Sequence, residues 1–417
     1  MKKRTGGLLT NTIMLYILTF SNYFFNFITV PYQTRILGPI NYGRLGFATA
    51  FMVYVQLFLD FGFLLSATEE ITNHRNDKKR ISQIFTTVCC CKLILIFSCF
   101  FILGILCGYV ERFKTDRLLF LLYFLSTSIN SFLPDYLYRG LEDMKSITIR
   151  SVCIKLFFTV MIFIFLKKPS QYYVVPLLNL VGNTGAIAFV YIDLKKRLGI
   201  KFVKVTIRNI VDSMRRSSTF FYSRIASTVY SATNTFIMGL LYGDSSPVVG
   251  YYTSADKIIT TAKQAITPVT DSLYPYMVRK KDFNLIKKLM LIGIPVMTIG
   301  CIVVWILATP ICTLLFGSEY VDSAKYLRLL IPVAWCAFPG MTFGFPVLSP
   351  IGLAKYANLS NVFGACIQLI QLIFLYLSIG LNAETICIAT CITEICTLLF
   401  RLIVVFVNRK KIKVIET

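Results

Sequence analysis

Apolar residues run through this chain in unbroken stretches, parted by short polar gaps, with no alternation from one residue to the next. Stretches of about 20 residues cross a hydrocarbon layer as helices, whereas barrel strands would show a period of two over about ten residues. Twelve windows follow: 11–31, 45–66, 83–108, 118–138, 147–166, 172–192, 218–241, 252–276, 289–308, 327–348, 357–379 and 383–407. Pro332, Pro339, Pro346 and Pro350, in and just after the tenth, predict a kinked, interrupted helix.

The longest gap, DLKKRLGIKFVKVTIRNIVDSMRRS at 193–217, parts six windows from six. The expected organisation is an N-terminal lobe (1–192), a basic cytoplasmic linker (193–217) and a C-terminal lobe (218–417). A break after the first window, YQTRILGPINYGRLGF, has a counterpart after the seventh, GLLYGDSSPVVGYYTSADK. Placing Gly43 on Gly250 sets Thr49 on Asp256, Gln56 on Lys263 and Asp60 on Thr267. Placing Gly38 on Gly243 sets Thr19 on Arg224, Asn26 on Ser231 and Thr29 on Asn234. Lobes that repeat with an even number of spans enter the membrane from the same side, so the repeat is parallel, its pseudo-two-fold axis along the membrane normal. Two such lobes leave a central hydrated cleft. Gly38, Gly43, Gly243 and Gly250 are expected in the tight hairpin ends of the duplicated pairs.

Within the windows a second pattern appears. Thr12, Tyr16, Thr19, Asn22, Asn26, Thr29 and Gln33 follow one another at spacings of three or four, one face of a helix. Window 7 carries Arg224, Ser227, Ser231, Asn234 and Met238 on the matching face; window 8 carries Asp256, Thr260, Lys263, Thr267 and Asp271; window 2 carries Thr49, Gln56 and Asp60. Ser, Thr and Asn in such stripes serve either as hydrogen-bond glue between helices or as the lining of a polar passage. Charges favour a passage, because a Lys or Arg near the bilayer centre costs on the order of 3 kcal/mol. Lys92, Lys155, Arg224, Lys257 and Lys263 are such cations, and Asp60, Asp135, Asp271 and Glu394 are carboxylates able to exchange a proton or hold a sodium ion. Structural readings stand beside these: Lys257 pairing with Asp256, Lys263 with Asp271, the carboxylates acting as counter-ions, Arg401 reaching to the headgroups.

Composition narrows the picture. With 56% hydrophobic and 15% charged residues over 417, the chain has too much apolar surface for a water-soluble core. The net charge of +23 does not form a nucleic-acid-binding domain, because the Lys and Arg gather in the gaps. An N-terminus on the cytoplasmic side gives an excess of about three to one on that side, the positive-inside pattern. The first window is too long and polar for a cleaved signal and reads as a retained span. Most of the 13 cysteines lie within windows, as small buried apolar residues, and the one histidine, His74, lies in a charged gap. No metal cluster, P-loop or nucleophile elbow is present, so the reading is a non-enzyme without cofactor.

The stretches VPYQTRILGPINYGRLGFATAF and DFGFLLSATEEI, with FFYSRIASTVYSATNTFIMGLL, VGYYTSADKI and SLYPYM in the second half, resemble the Wzx-type flippases. These form part of the polysaccharide-exporter branch of the multidrug/oligosaccharidyl-lipid/polysaccharide (MOP) superfamily. The resemblance implies a MATE-like fold of about twelve helices. It further implies movement of an undecaprenyl-diphosphate-linked O-antigen unit from the cytoplasmic to the periplasmic leaflet of a bacterial inner membrane, with an O-antigen polymerase as partner. On that expectation Arg224, Lys263, Lys92, Lys155 and Lys257 meet the diphosphate, and Thr19, Asn22, Asn26, Ser231, Asn234 and Gln56 line the cleft for sugars. Asp60, Asp135, Asp271 and Glu394 remain candidates for coupling to a proton or sodium gradient. The alternatives are an ion-coupled multidrug exporter of the same architecture and a flippase for another lipid-linked glycan.

Overall fold

The computed structural model describes residues 5–243, 245–378 and 380–409, leaving aside the side chains of 5–9, 12, 22, 223, 226, 227 and 229–231. The described residues are mostly helical, with no strand among them. The α-helices are α1 (Thr5–Asp60), α2 (Phe63–Asn73), α3 (Lys78–Tyr109), α4 (Glu111–Thr115), α5 (Arg117–Ser131), α6 (Asp135–Gly140), α7 (Met144–Phe165), α8 (Val174–Asp193), α9 (Ile207–Leu241), α10 (Val248–Lys280), α11 (Phe283–Ile306), α12 (Ala308–Phe316), α13 (Ser323–Thr342), α14 (Phe345–Leu348), α15 (Ala354–Leu377) and α16 (Ala383–Val407). They form two compact units, residues 1–228 and 229–417, with the division inside α9.

In the first unit α1 breaks at Gly38, whose φ of 68° is left-handed and which precedes Pro39. Asn11, near the start of α1, donates to the Glu142 carbonyl at 2.8 Å, and Tyr32 donates to the Leu166 carbonyl at 2.8 Å. Beyond the break Asn41 donates to the Pro169 carbonyl at 3.2 Å, and Thr68 on α2 donates to the Tyr136 carbonyl at 3.1 Å. The chain therefore travels from the level of residue 142 to that of 166 and back, so the break is a reversal between two passes. Of the four glycines expected at hairpin ends, only Gly38 takes a positive φ; Gly43 and Gly250 lie buried inside α1 and α10 and make no turn. Phe47, Phe51, Phe113 and Phe120 pack ring to ring, with centroids 4.4 to 6.0 Å apart, beside this reversal.

Helix starts follow local chemistry. The Asp77 carboxylate accepts from the Lys79 and Arg80 amides at the head of α3, Asp143 from Ser146 at α7, and Asp282 from Leu285 at α11. Asn382 and Thr385 form a reciprocal capping box at α16.

In the second unit Leu273, Met277, Phe283, Ile286, Met290 and Val347 belong to one buried apolar cluster. The interrupted tenth span is present: α13 contains Pro332 and Pro339, ends at Thr342, and is followed by the short α14. The Gly344 amide bonds to Met341, and the Gly340 carbonyl instead receives Arg401 Nη1 at 2.5 Å. Arg401 also donates to Ser360 and Asn361, so it satisfies the broken helix from within rather than reaching only for headgroups.

Among the described residues nine helices are long and apolar enough to cross a membrane. The difference from twelve has two sources. The segment Ile13–Asn73 counts once although it holds two passes, and α9 and α10 fall below the threshold because of their polar residues. Large apolar side chains such as Phe97, Phe101 and Leu377 point outward while Thr34, Gln368 and Thr393 are fully buried, the distribution that a lipid solvent selects. The protein is an all-α, multi-pass membrane protein.

Candidate functional site

The first unit contains a cavity of about 330 Å³ built from four helices. Each presents one stripe at helical spacing. Thr49, Met52, Val53, Gln56, Leu57 and Asp60 come from α1; Tyr123, Ser126, Thr127 and Asn130 from α5; Asn179 and Asn183 from α8; Arg224 and Thr228 from α9. The wall is thus rich in hydroxyls and carboxamides, with one cation and one carboxylate among the described residues.

Gln56 donates to Asp60 at 2.8 Å, and Arg224 Nη1 stands 3.8 Å from the other Asp60 oxygen. Asn183 donates to the Ser126 hydroxyl at 3.1 Å. Below this pair, α9 is zipped to the corner between α1 and α2. Phe221 stacks on Phe61 at 4.6 Å, Ser217 and Ser66 share a hydrogen bond of 2.6 Å, and Glu70 binds Arg216 at 3.0 Å and Arg80 at 2.7 Å. Gly62 makes the corner possible: its φ is +79°, and a Cβ there would lie 2.5 Å from the Ser217 carbonyl oxygen.

Sequence reasoning found Thr49, Gln56, Asp60 and Arg224 but missed Tyr123, Ser126, Thr127, Asn130, Asn179 and Asn183. The same stripe count applied to windows 4 and 6 finds them, since they recur at spacings of three and four.

Elsewhere in this unit, Lys92 donates to the Ser131 carbonyl at the end of α5, where the Asp135 amide turns to Leu133 instead. It is buried and lies over the Tyr136 ring. Asp135 is paired with the buried Arg150 at 2.6 Å. Lys155 is half-buried on α7, Thr19 half-buried and Asn26 exposed on α1. Asn22 and Ser231 lie outside the described side chains.

The second unit has its own polar interior. Lys263 is paired with Glu394, and Lys257 and Lys263 lie within electrostatic reach of Asp256. Asn234 donates to Thr390 at 2.7 Å and accepts from Gln368 at 2.8 Å, and Thr393 donates to Gln368 at 2.7 Å. Both ends of the Asn234 amide are thus engaged between helices. Asp271 is exposed.

A family model described as polysaccharide biosynthesis protein matches residues 8–281. Two relatives are each named "Putative O-antigen transporter". One, from Escherichia coli (strain K12), is 25% identical over 81% of this chain and 82% of its own length. The other, from Shigella dysenteriae, is 25% identical over 94% and 98%. Among solved structures, the lipid II flippase MurJ in an inward closed conformation aligns with a TM-score of 0.67 at 12% identity, over 98% of this chain and 90% of that one. A multidrug resistance MATE family transporter of the MOP superfamily, inward-facing, also aligns at 0.67, with 15% identity over 97% and 99%. Likeness at these identities concerns the fold. The match over 8–281 spans well over half of the chain, which therefore belongs to the polysaccharide biosynthesis protein family and has the membrane fold of MOP transporters.

Proposed function

We propose that this protein is a flippase that moves an undecaprenyl-diphosphate-linked oligosaccharide repeat unit, of the O-antigen class, from the cytoplasmic to the periplasmic leaflet of the bacterial inner membrane. The observation that carries the reading is the cavity: a carboxamide- and hydroxyl-lined space with a guanidinium, set among membrane-spanning helices. Sugar hydroxyls need neutral donors and acceptors, which Asn130, Asn179, Asn183 and Gln56 supply. A diphosphate needs a cation with several aligned donors, which Arg224 supplies. The names of the two relatives support the same substrate class.

In the proposed cycle Asp60 holds Arg224 until the more highly charged diphosphate takes the guanidinium over. Protonation of Asp60, or a sodium ion at its carboxylate, would release Arg224 and couple the exchange to an ion gradient. Lys263 with Glu394 is the analogous exchangeable pair in the second unit. No cofactor takes part; an O-antigen polymerase consumes the delivered unit, and both termini lie in the cytoplasm.

The test is complementation of a deletion strain, scored by the ladder of surface polysaccharide and by lipid-linked units retained on the cytoplasmic side. Restored ladders with cleared intermediates are expected. An intact ladder in the deletion strain, with raised sensitivity to cationic drugs, would transfer the protein to the multidrug exporters.

A further inference from the structure

A second, chemically opposite cavity lies in the second unit. It is a groove of about 600 Å³ whose walls include Phe283, Ile286, Met290 and Ile294 of α11 and Val347 of α14. Lys287 is the one charged residue in its lining among the described residues. Leu291, also in the lining, is 76% exposed, so the groove opens onto the lipid-facing surface of α11.

Two dimensions identify an occupant. From Phe283 to Pro295 the lining runs along α11 for about 18 Å at 1.5 Å per residue, a little over half of a hydrocarbon layer of about 30 Å. A methylene takes up about as much room as a water molecule, roughly 30 Å³, so an acyl chain of about sixteen carbons fills on the order of 500 Å³. One acyl chain in one leaflet matches the groove, and a polyprenyl chain several times longer overruns it. Charge gives the headgroup and the leaflet. The Phe283 end adjoins Arg279, Lys280, Lys281, Lys287 and Lys288, against the single carboxylate of Asp282. Such a basic segment marks the cytoplasmic side and attracts anionic lipid.

We propose that this groove binds one acyl chain of an anionic phospholipid of the cytoplasmic leaflet, its phosphate resting against Lys287. The site is independent of the transported substrate. It tethers α11 to a resident lipid and makes the second unit sensitive to the lipid composition around it.

The probe is phosphatidylglycerol with brominated acyl chains, compared with brominated phosphatidylcholine, in vesicles holding the full-length protein. Leu291→Trp places a fluorophore in the lining at an exposed position, and Val405→Trp reads the groove from α16; the signal of Trp305 and Trp335 in the parent is subtracted. An about five-fold preference for phosphatidylglycerol, the effect of one lysine at an anionic surface, is expected to vanish in Lys287→Gln/Lys288→Gln. Equal quenching by both lipids would overturn the proposal. So would relief of quenching by unlabelled polyprenyl phosphate, which would give the groove to a different occupant.

Discussion

Arg224 and Asp60 meet at 3.8 Å, each side chain partly open to the cavity, a geometry loose enough for the guanidinium to change partners. Arg224→Ala removes the cation and is expected to lower translocation roughly ten- to hundred-fold, the range of one charge-assisted hydrogen bond to phosphate, with the protein still in the membrane. Arg224→Lys keeps the charge without the fork and should recover only part of the activity. Asp60→Asn should act in the opposite sense, tightening binding of a lipid diphosphate to the purified protein while slowing turnover, because the Asp60 charge then no longer competes with the diphosphate for Arg224. Normal polymer assembly by Arg224→Ala at matched protein level removes that residue from the mechanism. These two residues were legible because a charge in an apolar window is conspicuous. The roles of Lys92 and Arg401 were not: each meets a backbone carbonyl at a helix break, and sequence shows a cation without showing which carbonyl a break sets free. Asn130, Asn179 and Asn183 escaped for a different reason: stripes were sought in the duplicated windows 1, 2, 7 and 8, and these asparagines lie in windows 4 and 6.

At the scale of the element, the first part of α9 is held against the α1–α2 corner by residues 216, 217, 221 and 224, and Gly62 sets how closely it approaches. Gly62 and Gly352 offer a matched pair: φ is +79° and +76°, but a Cβ at Gly352 meets nothing within 4 Å. Ala at either position carries about 1–2 kcal/mol of left-handed strain. Gly62→Ala must in addition push Ser217 away, so its thermal unfolding in detergent is expected well below that of Gly352→Ala; equal midpoints would show that the corner yields. A second element responds to pH. Burial pushes the Asp143 carboxyl up, but hydrogen bonds from Ser146 and Arg197 reverse this and hold it below the usual carboxylate range. A depressed folded-state value means stability that is complete above the unfolded value of about 3.9 and lost as pH falls through the folded one. Asp143→Asn should therefore cost stability at neutral pH, flatten the acid limb below about pH 4, and leave the most acidic pH least affected. The α7 start was readable from Asp143 and Ser146 alone, whereas the Arg197 contact joins residues 54 apart and has no local signature.

For the whole molecule, hydrophobic run length carried most of the fold, because in lipid a backbone must satisfy itself locally and only helices of membrane length can. Gly38 was legible as a hairpin end and the polar stripes of α9 and α10 were legible as well; what run length did not show is that a single left-handed residue replaces a loop at the first reversal. What length and polarity leave to be decided is orientation, and charge decides it. Arg75 lies just before α3 and Lys78, Lys79 and Arg80 open it, while Arg279 and Lys280 end α10 and Lys281 follows in the gap before α11; Lys167 and Lys168 are the cations of the gap after α7. The positive-inside rule weighs short gaps like these most heavily, so the proposed orientation puts the first two in the cytoplasm and the third in the periplasm. Alkaline phosphatase, active only after export, should be silent when inserted after residue 76 or 282, with the rest of the chain kept behind it, and active when inserted after residue 168. The intervening passes make the three fusions a joint test, because an inverted protein reverses all of them together, whereas a miscounted pass reverses only those beyond it. Replacing Lys78, Lys79 and Arg80 with Gln should weaken the signal that anchors that gap and raise the activity of the fusion after residue 76. A fusion after 76 that stays silent would mean that the remaining cytoplasmic cations hold the orientation collectively.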